Sequence, residues 1–156
     1  MDRTPTFTNT NPVAVAEVGE YITEFDCIMT PQSNGISYYL STGTKGNVNP
    51  LMEWLKELDI YGLTSWNKII PDEVFALNNE LIREFLQVYA TCDGTVGKEY
   101  ISICSMSRAM LDGLQTLLLR VGIWSVKDYK SNEVRITGNM AEKFVNEIGF
   151  AFPKTK

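Results

Sequence analysis

Apolar residues recur at helical spacing near the start of the chain, where Val15, Val18, Ile22 and Phe25 share one face. The same spacing returns at Leu111, Leu114, Leu118 and Val121. Each run follows a short strand-like segment and a polar residue suited to an N-cap, Asn11 in one case and Ser107 in the other. Pro12 fits the first helical position. Placing Asn9 against Ser105 brings all four apolar pairs into register. Both copies then read turn, strand (35–41 or 133–137), a Gly, an Asn and a short helix (49–60 or 139–150). Trp54, Leu55 and Leu58 mark the inner face of the first short helix, and Phe144, Val145 and Ile148 that of the second. Agreement over four successive elements argues for an internal repeat rather than chance recurrence. The fold class expected is α+β.

The second copy is led by a helix pattern over 80–92 that stops at Asp93-Gly94 and runs into a strand. The first copy has no counterpart, since the sequence opens just ahead of its first strand. It is therefore expected to lack the leading helix and its acid. A carboxylate at the end of a buried helix can meet a second acid where two such helices pair, and hard oxygen ligands of that kind suit a divalent cation. Asp-Gly ahead of a strand is also an ordinary hairpin-turn signal.

Composition narrows the chemistry. The 156 residues are 44% hydrophobic and 21% charged, enough for a real core. No apolar run is long enough for a membrane span and no signal peptide is visible. The three cysteines, Cys27, Cys92 and Cys104, have no CxxC spacing and read as reduced, mostly buried thiols of a cytoplasmic protein. There is no histidine, which excludes His-based triads and His-liganded zinc. The net charge of −5 weighs modestly against nucleic-acid binding, although much of the acid lies on helical faces. Trp54, Trp66 and Trp124 are expected in core or rim packing, Met106 and Met110 as core filler, and 153–156 as a loose end.

The nine residues from Leu86 to Gly94 resemble the LAGLIDADG motif that names a family of homing endonucleases. The block Ser65-Trp66-Asn67-Lys68-Ile69-Ile70-Pro71 resembles the Lys-x-Ile-Pro block of that family, and 107–123 resembles the helix after its second motif. With the repeat, the resemblance spans nearly the whole chain and is nearest to the double-motif, intein-associated members. It implies two pseudo-symmetric αββαββα-like repeats, here 1–62 and 80–152 with a 63–79 linker, the first repeat lacking its motif helix. It implies two motif helices packed side by side through Leu86, Val88, Tyr89 and Cys92, and a concave strand surface on long duplex DNA. It also implies Mg²⁺ or another divalent cation at Asp93 and Gly94, and catalytic roles for Asp93 and Lys68.

Three departures accompany it. One motif and its acid are absent. Val88 stands where the motif keeps a small residue. The chain has neither the leading Cys or Ser nor the closing His-Asn pair that splicing requires.

Strand alternation supplies the candidate DNA face. Ile101, Ile103, Val134 and Ile136 point to the core, leaving Lys98, Tyr100, Ser102, Arg135 and Thr137 outward. In the first copy Ile36, Tyr38 and Leu40 point inward, leaving Ser37, Tyr39 and Ser41 outward. Such residues suit base edges in a major groove or, equally, a solvated sheet face. The function expected is a DNA endonuclease subunit or fragment needing a second motif helix from a companion chain or a second copy. An inactive DNA- or RNA-binding module is the alternative, and a non-nucleic-acid interaction domain is the third.

Overall fold

A computed structural model describes residues 4–152; the tail 153–156, expected to be loose, lies outside them. Backbone contacts divide the chain into two compact units, the boundary falling between Tyr61 and Gly62. The architecture is α+β, with one antiparallel sheet in each unit. No helix among the described residues is long and apolar enough to cross a membrane.

The first unit runs β1 (Thr6–Thr8), α1 (Pro12–Tyr21), a 3₁₀ turn (Ile22–Phe25), β2 (Ile28–Pro31), β3 (Ser37–Ser41) and α2 (Pro50–Glu57). Its sheet has the order β1-β3-β2. The second unit runs α3 (Asp72–Ala76), α4 (Asn79–Asp93), β4 (Gly94–Val96), β5 (Tyr100–Cys104), α5 (Arg108–Arg120), β6 (Val126–Asp128), β7 (Glu133–Thr137) and α6 (Asn139–Glu147). From α4 onward this is αββαββα, with sheet order β4-β5-β7-β6. Among the described residues, the first unit has no equivalent of α4 or of β4.

The repeat holds down to single hydrogen bonds. Asn9 Oδ1 accepts from the Asn11 amide at 2.8 Å, and Ser105 Oγ accepts from the Ser107 amide at 3.2 Å. Asn11 then caps α1 through the Val13 amide, and Ser107 caps α5 through the Met110 amide. Both helical stretches end on a left-handed residue, Asp26 (φ 52°) and Gly122 (φ 80°). A backbone bond closes each end, Cys27 to Ile22 at 3.2 Å and Ile123 to Leu118 at 2.8 Å. Thr6 pairs with Tyr39 and Thr8 with Ser37, as Ser102 pairs with Arg135 and Cys104 with Glu133. The same sequence interval separates all of these equivalents except the two cap donors, since Asn11 bonds the amide two residues on and Ser107 the amide three residues on.

The cores differ in size. Ile82, Leu86, Leu111, Leu114, Leu118, Ile101, Ile136 and Phe144 are among the sealed side chains of the second unit. The first unit buries Ile22, Cys27, Leu40 and Leu51, with Phe7, Val18, Phe25, Met29 and Leu55 packed partly against them. Segment 63–79 contributes to the second core: Ile70 is buried there, with Val74, Phe75 and Leu77 against it. Gly113 makes room for it. A Cβ at that position would lie 2.9 Å from Ile70 Cδ1 and 3.2 Å from Phe75 Cζ, so the helix-propensity cost of a mid-helix glycine is exchanged for a seat.

Several expectations are corrected. Ile36 is exposed rather than inward, because β3 begins only at Ser37. Trp54 and Val145 are about half exposed at the edges of their helix faces. Trp66 and Trp124 are each 68% exposed, the first on a turn and the second in the irregular connection between α5 and β6. Met106 is exposed ahead of α5, whereas Met110 is core. Of the three thiols only Cys27 is buried; Cys92 and Cys104 lie at the surface.

Candidate functional site

Asp93 is the last residue of α4, and Gly94 both caps that helix and starts β4. The Gly94 amide bonds the Ala90 carbonyl, and a Cβ on Gly94 would lie 2.3 Å from that carbonyl oxygen. Its φ is −96°, so it serves close approach rather than turn geometry. Asp93-Gly94 is therefore no hairpin turn. The helix passes directly into the strand and carries its terminal carboxylate to the head of the sheet.

Lys68 reaches the same point from the segment before α3. Its Nζ donates to Asp93 Oδ2 at 3.3 Å and lies 5.5 Å from the centroid of the Tyr89 ring, one helical turn back along α4. Two anchors fix it. The Asn67 side-chain oxygen accepts from the Thr64 amide at 2.6 Å and the Thr64 hydroxyl at 2.9 Å, and the Lys68 amide bonds the Thr64 carbonyl at 2.9 Å. Two residues on, Ile70 is buried in the core.

The pair opens onto a hollow of about 350 Å³ lined by Ser65, Lys68, Asp93, Cys104, Ser105, Met106, Ser131 and Asn132. The Tyr89 hydroxyl is shut off from solvent without a hydrogen-bond partner of acceptable geometry, although Lys68 and Ser105 lie close enough to influence it. Burial pushes the Tyr89 phenol above its ordinary value against the pull of Lys68. Burial also pulls on Lys68, but Tyr89 and Asp93 outweigh it and raise the ammonium above its ordinary value. At neutral pH Lys68 is therefore a fixed positive charge, suited to a phosphate and unsuited to taking a proton from water.

Magnesium takes about six oxygens in near-octahedral array. Asp93 offers one carboxylate, already engaged by Lys68, and the described residues contain no group of three or more acidic, cysteine or histidine side chains. The described residues alone do not fit a resident divalent ion.

The residues expected at the helix interface separate. Leu86 faces the other way, sealed in the core with Ile82 and Ala90 at four-residue spacing. Tyr89 is half-buried against Lys68. Val88 is 54% exposed, and with Leu81 and Cys92 it forms an exposed stripe along α4.

The expected DNA-facing residues lie on two sheets. On the second, Tyr100 pairs with Thr137 and Ser102 with Arg135, all on the face away from the core; Lys98 is exposed in the β4–β5 connection. The Arg135 side chain is 48% exposed, but Ser102 is only 3% exposed because Glu133 covers it through a hydrogen bond. On the first sheet Tyr39 is exposed and Ser41 half-buried. Ser37 is buried under hydrogen bonds with Thr8 and Asn34 at 2.8 and 2.9 Å. Alternation gave the correct face for both serines and the wrong access. Sequence reasoning missed Glu133, whose only signal was an acid heading a strand on the polar face, and the contact of Tyr89 with Lys68.

The profile of the LAGLIDADG-like domain matches residues 80–149, from α4 through α6. These residues are a LAGLIDADG-like domain. Proteins of this family are generally nucleases that bind DNA, use divalent metal and often dimerise. The chain is also similar to DNA-directed RNA polymerase subunit Rpo1C of Methanocaldococcus jannaschii, 33% identical over 129 residues covering 80% of this chain and 14% of that protein. It is 31% identical over 141 residues to the replicative DNA helicase DnaB of Nostoc sp., covering 78% of this chain and 16% of the helicase. A DNA polymerase of Thermococcus sp. is 28% identical over 133 residues, 74% of this chain and 8% of the polymerase. The chain thus spans less than a fifth of the length of these relatives.

Proposed function

We propose that this chain is the part of a LAGLIDADG homing endonuclease that carries one motif helix, binds a long duplex DNA site and hydrolyses its phosphodiester bonds only once a second motif helix is supplied. The observation that carries this is the Lys68–Asp93 pair at the end of α4, beside an exposed apolar stripe on the same helix. A half-built acidic centre and an uncovered helix face have one common remedy, a second helix bringing a second acid. The comparisons support an inserted module. Similar segments occur in a polymerase subunit, a helicase and a DNA polymerase, proteins with different named activities, and each occupies a small share of its host. Insertion within such hosts is the intein-associated arrangement.

An inactive DNA- or RNA-binding module is the second reading. It is favoured by the single carboxylate and by Val88, whose side chain occupies the motif's small position on the exposed face.

Sedimentation at several concentrations, followed by cleavage assays on duplexes selected from a randomised pool, separates the two. A dimer, or a mixture with a companion chain, that cuts with magnesium and loses at least about a hundredfold in rate on Asp93→Asn supports the endonuclease. Selected duplexes that are bound but never cut in any assembled state support the binding module.

A further inference from the structure

The second sheet carries a side-chain arrangement that the Asp93 site does not use. Glu133 heads β7 on the face away from Val134 and Ile136, yet it is only 8% exposed. A carboxylate withdrawn from water is costly unless its oxygens are satisfied. Here they are: Oε2 accepts from the Ser102 hydroxyl, and Oε1 accepts from Ser131 Oγ at 3.2 Å and from Arg135 Nη2 at 2.6 Å. The Arg135 guanidinium also lies 4.9 Å from the centroid of the Tyr100 ring. It is held by an edge bond and a face contact, and the side chain still remains 48% exposed.

We propose that Glu133 is a positioning residue that presents Arg135 to guanine in the major groove, making Arg135 a specificity-determining residue of the second unit. This rests on the DNA-binding reading above. A guanidinium has N–H donors beyond the one given to Glu133, in a planar fork that matches the paired acceptors O6 and N7 of guanine. Adenine and cytosine place a donor amino group on that edge, so a donor-only side chain disfavours them. Phosphate binding would need no such brace, and a carboxylate beside the guanidinium would oppose it. An oriented base-edge contact gains from both supports. The first unit has nothing comparable: Ser37 and Tyr39 stand at the equivalent positions, and β1, β2 and β3 carry no charged side chain. A braced guanidinium of this kind is therefore absent from the described strands of the first sheet.

The test uses the whole chain. Duplexes are selected from a randomised pool, and affinity is measured at fixed salt with the consensus guanine present or replaced by adenine. The wild-type preference should be roughly fivefold to a hundredfold. Arg135→Gln, at an exposed site, offers an amide that suits adenine N6 and N7 rather than guanine O6 and N7, so it should erase or invert the preference. Glu133→Gln should weaken the preference without weakening binding of the adenine duplex. A guanine preference that survives Arg135→Gln, or a consensus with no fixed guanine, overturns the proposal and leaves DNA binding intact. Failure of the wild type to bind any duplex at low salt would instead remove the DNA-binding reading, and this inference with it.

Discussion

The two units follow one backbone path and carry different loads. The sequence up to Tyr61 has eight acidic and three basic residues, and all of the net charge of −5 resides there; from Gly62 onward there are eleven of each. The first sheet turns outward hydroxyls, methyls and a tyrosine. The second turns outward an arginine, a buried acid and the carboxylate at its head. The chain's overall acidity thus says nothing about the unit that holds Asp93. The repeat conserves what closes a helix onto a strand and differs in what a ligand would meet.

Core depth gives the largest expected contrast. Leu114→Ala empties a sealed site in the second unit and should cost about 2–5 kcal/mol. Val18→Ala, at the equivalent but partly exposed position, should cost about 1 kcal/mol or less by the lost transfer energy of its methyl groups. Urea unfolding followed by circular dichroism measures both, and equal losses would break the comparison. The left-handed helix ends come next. Gly122→Ala places a Cβ at φ 80° and 3.0 Å from Lys143 Nζ, so it should destabilise by about 1–2 kcal/mol. Asp26→Gly at the matching position should change stability by less than about 1 kcal/mol, with relief of Cβ strain offset by backbone entropy. If both substitutions destabilise alike, the two helix ends are not energetically equivalent.

The smallest effect is alkaline. Lys68 and Tyr89 both have folded-state values raised above ordinary, so the folded chain holds their protons longer than the unfolded one. Their contribution is fully present below about pH 10 and is lost as pH rises through the raised values. Tyr89→Phe removes both the buried phenol and its influence on Lys68, and should flatten the decline above pH 10. Trp66 and Trp124 lie in the same unit as the pair and are the fluorophores expected to read the effect. An unchanged alkaline slope in Tyr89→Phe would separate the phenol from that stability.

Helical periodicity and capping chemistry made most of this fold readable. Asn11 and Ser107 were legible as caps, and 133–137 as a strand, because local rules decide them. What covers a side chain was not legible. Ser37 and Ser102 alternate to the outward face as expected, but hydrogen bonds from neighbouring strands and turns bury them. Leu86 was assigned to the helix interface by its place in a motif, whereas its spacing with Ile82 and Ala90 turns it to the sheet. Lys68 and Asp93 lie 25 positions apart in the chain. Only the seat of Ile70 against Gly113 beside a short ordered turn brings them together, and no periodicity encodes that.

Gly94 joins helix to sheet with no intervening loop, and so couples two distances that a flexible joint would leave independent. On a duplex, the acid and the strand residues beside it would move as one rigid piece. The spacing between the bases contacted by the sheet and the phosphate beside Asp93 would then be a fixed length, like the gap between a ruler's zero and its first mark. New strand side chains could change which bases are read, but the phosphate met by Asp93 could not slide along the DNA unless this joint were lengthened.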